Sequence, residues 1–227
     1  MSSKPATFPS ENAAGDGQGV LIGDPATTPR GLIVIHEWWG MNEQIQAEGA
    51  QFAREGHFTV VVVDMYRGKV ADDRETAGHY MGELDWDGAV QDVAGAAKYL
   101  KSIGCTKVGV TGFCMGGALS LAAAARCPDV DAAAPFYGIP KAALADLTTI
   151  RIPVQGHFGE LDEAVGFSSP AEFNPLKERL IAAGVPYEMF TYAAGHGFTN
   201  PNNPNYSQEA CELSFKRVYE FMAKHLG

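Results

Sequence analysis

The sequence has little basic charge. Its 227 residues contain 17 Lys and Arg against 27 Asp and Glu, which gives a formal charge of −10 at pH 7. An acidic surface repels the phosphate backbone of nucleic acids, and the basic residues of this chain form no cluster. We therefore expect no nucleic-acid partner.

Long apolar runs are also lacking. None approaches the ~20 residues that a helix needs to span a bilayer. The first residues, MSSKPATFPSENAAGDGQG, are polar and contain no apolar segment of the secretory-signal type. The sequence therefore predicts a cytoplasmic protein that binds no membrane, with residues 1–15 mobile.

Cysteine is scarce and unpaired in the sequence. None of the four forms a C-x-x-C pair of the kind that binds metals: Cys105, Cys114, Cys127 and Cys211. In a reducing compartment all four are expected to be free thiols. The sequence implies no metal and no organic cofactor.

Short apolar or β-branched runs alternate with helical patterns along the chain. The runs predict strands at 31–36, 59–64, 107–111, 131–137, 152–158 and 187–192, and the helical patterns cover 42–56, 87–103, 118–125, 173–183 and 207–226. Strands that are apolar throughout are typical of parallel sheets buried on both faces. The alternation therefore predicts an α/β fold, a mostly parallel open sheet with helices on both faces, in one domain spanning residues 1–227.

The stretch TGFCMGG, residues 111–117, joins a predicted strand to a predicted helix. It places Cys114 at the apex of a G-x-C-x-G motif, where α/β-hydrolases have a serine in a strained turn. Flanking glycines relieve crowding at such a turn, and backbone N–H groups at a helix start favour an anion. The alternative is a packing motif at the start of a helix, and the pattern alone does not decide between the two.

Two further candidate groups follow predicted strands: Asp162 in GELD and His196 in AAGHGF. The carboxyl ends of parallel strands meet at one edge of the sheet, and the order nucleophile, acid, histidine is that of α/β-hydrolases. His196 would accept the thiol proton, and Asp162 would orient the imidazole and stabilise its cation. As an alternative, Asp162 could be an ordinary loop aspartate and His196 a structural histidine. We assign Asp64, a competing acid, to capping a turn, and His157 to a strand with a local partner.

A tetrahedral intermediate needs hydrogen-bond donors for its negatively charged oxygen. The backbone N–H of Met115, the residue after the candidate nucleophile, would supply one donor. A residue after the first predicted strand, which we take to be Trp38, would supply the other.

Four segments of the sequence are diagnostic when taken together: HEWWG (36–40), DMYRG (64–68), GFCMGG (112–117) and GHGF (195–198). They resemble the dienelactone hydrolase family, and the resemblance extends from about residue 31 to the C-terminal helix. It implies an α/β-hydrolase fold with a catalytic triad of Cys114, Asp162 and His196.

The resemblance also gives a role to Glu37 in HEWWG. In the family a glutamate holds the resting thiol neutral, and substrate binding swings the thiol toward the histidine. A nearby carboxylate disfavours a second negative charge, which would protect the thiol from oxidation. The alternative, a zinc-binding H-E-x-x-H motif, fails because the last position is Gly40.

The resemblance also suggests a site for a substrate carboxylate. Family members that open dienelactones have arginines that bind this carboxylate. One of these matches Arg74 in RETA, for which a solvated helix charge is the alternative. The place of the second, just after the catalytic histidine, is occupied by Asn200, which weakens the case for a dienelactone substrate.

Several aromatic side chains would line a substrate pocket, with core packing as the alternative, above all for Phe136. These are Trp38, Trp39, Phe136, Tyr137 and Phe198.

Sequence and resemblance together predict a hydrolase that cleaves a carboxylic ester or lactone through a thioester acyl-enzyme. A dienelactone is one candidate substrate, the expected partner is a small molecule, and the chain is expected to be a monomer. Two alternatives stay open: a catalytically idle hydrolase-fold protein that binds a ligand, and a redox thiol protein. The second lacks a resolving cysteine close to Cys114 in the sequence.

Overall fold

The computed structural model describes residues 3–227, and within them eight strands alternate with six α-helices. The strands are β1 Ser3–Phe8, β2 Gly17–Ile22, β3 Arg30–Ile35, β4 Thr59–Val63, β5 Lys107–Phe113, β6 Ala132–Phe136, β7 Val154–Gly159 and β8 Tyr187–Tyr192. The helices are α1 Glu43–Glu55, α2 Arg74–Glu83, α3 Trp86–Ser102, α4 Met115–Arg126, α5 Pro170–Ala182 and α6 Gln208–Leu226. None of these helices is long and apolar enough to cross a membrane.

All eight strands belong to one sheet, in the order β1-β2-β4-β3-β5-β6-β7-β8. The strands from β3 onward pair in parallel, whereas β1 pairs with β2 and β2 with β4 in antiparallel fashion. The six predicted strands are present within a few residues of their expected bounds. The prediction of a mostly parallel open sheet is therefore confirmed.

The N-terminal segment differs from the expectation that residues 1–15 are mobile. Residues 3–8 form β1, which pairs with β2 in a register that sets Phe8 opposite Gly17. A Cβ atom on Gly17 would lie 2.0 Å from the Phe8 ring, so this ring packs directly over the glycine. Residues 1 and 2 of the expected mobile segment lie outside the described residues.

Apolar side chains alternate between the two faces of the sheet. In β3, Ile33 and Ile35 join a buried cluster that includes residues of α3, α4 and α5. Leu32 and Val34 point the other way, into a second cluster with residues of α1 and α6. Both faces are covered by helices, which explains why β3 is apolar throughout.

Candidate active site

The backbone at Cys114 forms a sharp turn between β5 and α4. Cys114 has φ 54° and ψ −113°, a left-handed conformation that residues with a side chain rarely adopt. A Cβ on Gly112 would lie 2.4 Å from the Gly116 carbonyl oxygen, and one on Gly116 would lie 2.4 Å from that of Ile35. Both glycines are therefore required by close packing. This geometry favours a nucleophile elbow over a simple helix start.

The structure brings the candidate acid and histidine together beyond the ends of β7 and β8. His196 Nδ1 lies 2.9 Å from Asp162 Oδ2, and the Asp162 side chain is fully buried. The second carboxylate oxygen, Oδ1, accepts the backbone N–H of Ala164 at 2.8 Å. Because Nδ1 faces the acid, Nε2 is the nitrogen left for Cys114, which lies near enough to His196 to influence its pKa.

The surroundings of His196 favour its protonated form. Burial alone would lower its pKa, but the hydrogen bond to Asp162 and the interactions with Cys114 and the Asp162 charge raise the pKa to about 10. Burial acts against the charge of Asp162 too, yet the hydrogen bond and the charge of His196 lower the pKa of this acid overall. The site thus stabilises an imidazolium between a carboxylate and a thiol. Transfer of the thiol proton to His196 requires such stabilisation.

Glu37 follows β3 and lies in a closed network of hydrogen bonds. Asn200 Nδ2 donates to its Oε2 at 2.7 Å, and the Tyr137 hydroxyl donates to Oε1 at 3.2 Å. Burial raises the pKa of Glu37 despite these donors and the nearby positive charge of His196. Tyr137 has a strained backbone, with φ 33°, and contacts the Thr199 hydroxyl at 2.7 Å. The network fixes an ionisable acid beside His196.

These contacts alter the expected substrate site. Tyr137 and Phe198 are fully buried, so neither presents a wall to a substrate in this structure. Trp39 is partly buried and packs edge-on against Trp38, with 5.3 Å between ring centroids. Asn200 directs its amide at the same acid rather than at a substrate carboxylate. Arg74 is the first residue of α2 and is exposed to solvent. This exposure agrees with the alternative that Arg74 is a solvated charge on the helix.

The two expected oxyanion donors belong to two segments that pack closely together at Gly116. Met115 is the first residue of α4, and its backbone N–H has no acceptor within that helix. Trp38 follows Glu37 beyond the end of β3. The last carbonyl group of this strand lies close to Gly116 in α4. The side chain of Trp38 lines a cavity next to the candidate site.

Ser168 is a candidate functional residue that the sequence analysis missed. Its hydroxyl donates to Asp162 Oδ2 at 2.8 Å and lies 3.1 Å from His196 Nδ1. The residue is fully buried, so no water competes for this contact. The only signal in the sequence is a serine six positions after the candidate acid, which is too common a feature to single out.

Glu48 of α1 was also missed. It is buried, and its Oε1 has no hydrogen-bond partner among the described residues. Burial, and then repulsion by Glu37, raise its pKa well above the ordinary value. A second buried acid therefore lies near Glu37, and its surroundings disfavour its charged form.

Two groups outside this cluster, His157 and Asp64, have structural contacts. His157 stacks on Phe136 with 4.5 Å between ring centroids, and burial lowers its pKa to about 3. Asp64 accepts the backbone N–H of Tyr66 at 3.0 Å and that of Gly68, so it caps a turn as expected. Within residues 3–227, no group of three or more His, Cys, Asp or Glu side chains could hold a metal ion.

A parallel sheet with an elbow after a central strand, and with a histidine and an acid after the last two strands, defines an α/β-hydrolase. The sequence matches the model of the dienelactone hydrolase family over residues 18–226. The chain belongs to this family and is a hydrolase of carboxylic esters or lactones.

Individual relatives cover nearly the whole chain. Protein usf of Aquifex pyrophilus is 33% identical over 225 residues, which cover 90% of this chain and 95% of the relative. A carboxymethylenebutenolidase of Pseudomonas putida is 29% identical over 219 residues, 90% of each chain.

Solved structures show the same fold at lower identity. A dienelactone hydrolase-like promiscuous phosphotriesterase from metagenomic libraries has a TM-score of 0.81 at 20% identity, with 100% of both chains covered. An esterase of Pyrococcus furiosus has a TM-score of 0.74 at 16% identity, covering 100% of this chain and 94% of the esterase. The expected α/β-hydrolase fold is confirmed.

We expect Ser168→Ala to lower kcat/KM for an ester about tenfold to a hundredfold. The hydroxyl hydrogen-bonds to a buried carboxylate, and a bond to a charged group contributes about 1.5–3 kcal/mol. The pH profile should also shift, because Asp162 would lose a donor that favours its charged form. Ser214→Ala, at a buried serine that donates to a carbonyl inside α6, is the control and should keep its activity. Equal activity and equal pH profiles in both variants would contradict this role.

We expect Glu48→Gln to change how stability depends on pH. The folded-state pKa of Glu48 is raised above its ordinary value of 4.5, so its contribution is fully present below that value and is lost as pH rises through the raised pKa. The glutamine side chain does not titrate, so the variant does not lose this stability as the pH rises. Urea unfolding at about pH 5 and about pH 8 measures the free energy of unfolding. As the pH rises, this free energy should increase in the variant relative to the wild type by up to about 1.4 kcal/mol per pH unit.

Glu43→Gln, an exposed change on the same helix, should show no such pH-dependent gain. A stability difference between Glu48→Gln and wild type that is constant with pH would show that Glu48 does not titrate in this way.

Proposed function

We propose that this hydrolase acts through Cys114, His196 and Asp162 and forms a thioester acyl-enzyme. The observation that carries the proposal is the strained turn at Cys114, which follows a central strand and lies close to a histidine that is itself bonded to a buried acid. Strained backbone of this kind clusters at functional sites, and a thiol at such a turn with a histidine base nearby has the arrangement of a nucleophile.

In the first half of the reaction, His196 accepts the thiol proton and the sulfur attacks the carbonyl carbon of the ester. The C–S bond forms, and the carbonyl oxygen becomes an anion that accepts hydrogen bonds from the N–H groups of Met115 and Trp38. Collapse of this intermediate breaks the C–O bond, and His196 returns the proton to the leaving oxygen. In a lactone that oxygen stays attached to the acyl group.

In the second half, His196 removes a proton from water, and the resulting nucleophile attacks the thioester carbon. The C–S bond breaks, the acid product leaves, and the sulfur regains a proton from the imidazolium. Asp162 holds Nδ1 throughout, so that Nε2 faces the reacting atoms.

Glu37 controls charge in this scheme. Its carboxyl group lies close enough to His196 for the two charges to stabilise each other. In the resting enzyme a carboxylate at this place disfavours a second anion beside it, and after proton transfer it can balance the imidazolium. Asn200 and Tyr137 act on the reaction through Glu37, by fixing its two oxygens.

The substrate class follows from the family and from relatives named carboxymethylenebutenolidase: a small carboxylic ester or lactone. The net charge of −10 supports a function without nucleic acid. A cytoplasmic monomer remains the prediction from sequence.

We expect Cys114→Ala to lose about a thousandfold or more of its activity on p-nitrophenyl acetate, because no other group replaces the nucleophile. Release of p-nitrophenolate measures the rate, and circular dichroism confirms that the variant is folded. The matched control is Cys127→Ala, a buried thiol at the end of α4, which should keep most of the activity. Comparable activity in folded Cys114→Ala and wild type would overturn the proposal.

A further inference from the structure

A cavity of about 610 Å³ adjoins the candidate active site. Its walls come from Trp38, from α2, from the loop after β6 and from the loop before α5. Two observations place it near the candidate site: Trp38 directly follows Glu37 in the chain, and the ring centroid of Phe167 lies 6.2 Å from that of His196. The cavity therefore lies beside the candidate active site.

Most of the lining side chains are large and apolar. They are Trp38, Met81, Trp86, Ile139, Leu144 and Phe167. Two exposed apolar residues, Leu161 at 66% and Val165 at 81% exposure, flank Asp162 in the neighbouring loop. Soluble proteins expose such groups near binding sites for apolar ligands more readily than elsewhere.

The charged residues of the lining offer little to an anion. Asp87 pairs with Arg126 at 2.6 Å, and Glu172 accepts the backbone N–H of Gly166 at 2.8 Å. Among the described residues of the lining, Lys141 is the only basic one, and Asp87 and Glu172 oppose it with two negative charges. Arg74 does not line the cavity. A substrate carboxylate placed here would lose hydration without gaining a bidentate partner.

Two glycines in α2 leave room along one wall. A Cβ on Gly82 would have no atom within 4 Å, and one on Gly78 would meet only Trp38, at 3.9 Å. Glycine inside a helix costs about 0.5–1 kcal/mol relative to alanine, and packing does not require glycine at either position. Their effect is to keep the cavity wide.

We propose that this cavity binds an uncharged apolar acyl chain, so that the protein prefers neutral esters of medium chain length to acetate and to esters that carry a carboxylate. The proposal rests on the acyl transfer at Cys114 described above. It names the substrate class of that reaction.

Three p-nitrophenyl esters test the proposal on the full chain: the acetate, the hexanoate, and the adipate monoester, which has a carboxylate at the far end of a six-carbon chain. Wild-type kcat/KM for the hexanoate should exceed that for each of the other two about tenfold to a hundredfold, since four additional CH₂ groups are buried and the adipate carboxylate is not bound.

Filling the cavity should remove this preference. Gly82→Phe projects a ring into the open space and should lower the hexanoate-to-acetate ratio of kcat/KM about tenfold or more. The control is His79→Phe, which adds the same ring on the exposed side of α2 and should leave the ratio unchanged. Using a ratio removes any general folding defect from the comparison.

A wild type that turns over all three esters equally, or that favours the adipate monoester, would overturn the proposal, as would an unchanged ratio in Gly82→Phe. These results differ from failure of the mechanism. If the cavity alone is misassigned, hydrolysis of the acetate still depends on Cys114. If the mechanism is wrong, Cys114→Ala hydrolyses the acetate at the wild-type rate.

Discussion

The strained backbone at Cys114 is the constraint on which the rest of the site depends. A left-handed conformation at a residue with a side chain costs about 1–3 kcal/mol, so its surroundings must impose it. The Cys114 N–H donates to the Phe136 carbonyl at 3.1 Å, and the Cys114 carbonyl accepts from Ala118 at 3.1 Å. A Cβ on Gly138 would lie 2.0 Å from that carbonyl oxygen. The turn is therefore held between β5, β6 and α4 with no room to relax.

The strand ends that hold this turn also place the groups around it. Glu37 follows β3, and Tyr137 follows β6 with its own strained backbone. Asp162 and His196 follow the next two strands. The site thus combines one thiol and one histidine with buried acids, in a chain that is acidic overall. Burial opposes charge on both Glu37 and Asp162; it prevails at Glu37, whereas the hydrogen bond and the charge of His196 lower the pKa of Asp162.

Local patterns in the sequence were enough to predict the parallel strands and three of the central groups. Apolar runs mark strands buried on both faces, and G-x-C-x-G with a later acid and histidine marks the edge where Cys114 lies. Other features depend on contacts between distant segments. β1 has the sequence SKPATF, which shows no strand pattern until β2 pairs with it. Asn200 bonds to Glu37 across 163 positions, and Glu48 is buried only because α1 packs beside the site.

The central claim is a covalent acyl group on the sulfur of Cys114, and rapid acid quenching followed by mass spectrometry tests it most directly. The protein is mixed with p-nitrophenyl acetate and quenched during the first turnover. The account predicts one added acetyl group, located on the peptide that contains Cys114 and removed by neutral hydroxylamine, as expected for a thioester. An acetyl group on another residue, or one that resists hydroxylamine as an oxygen ester does, would contradict the account.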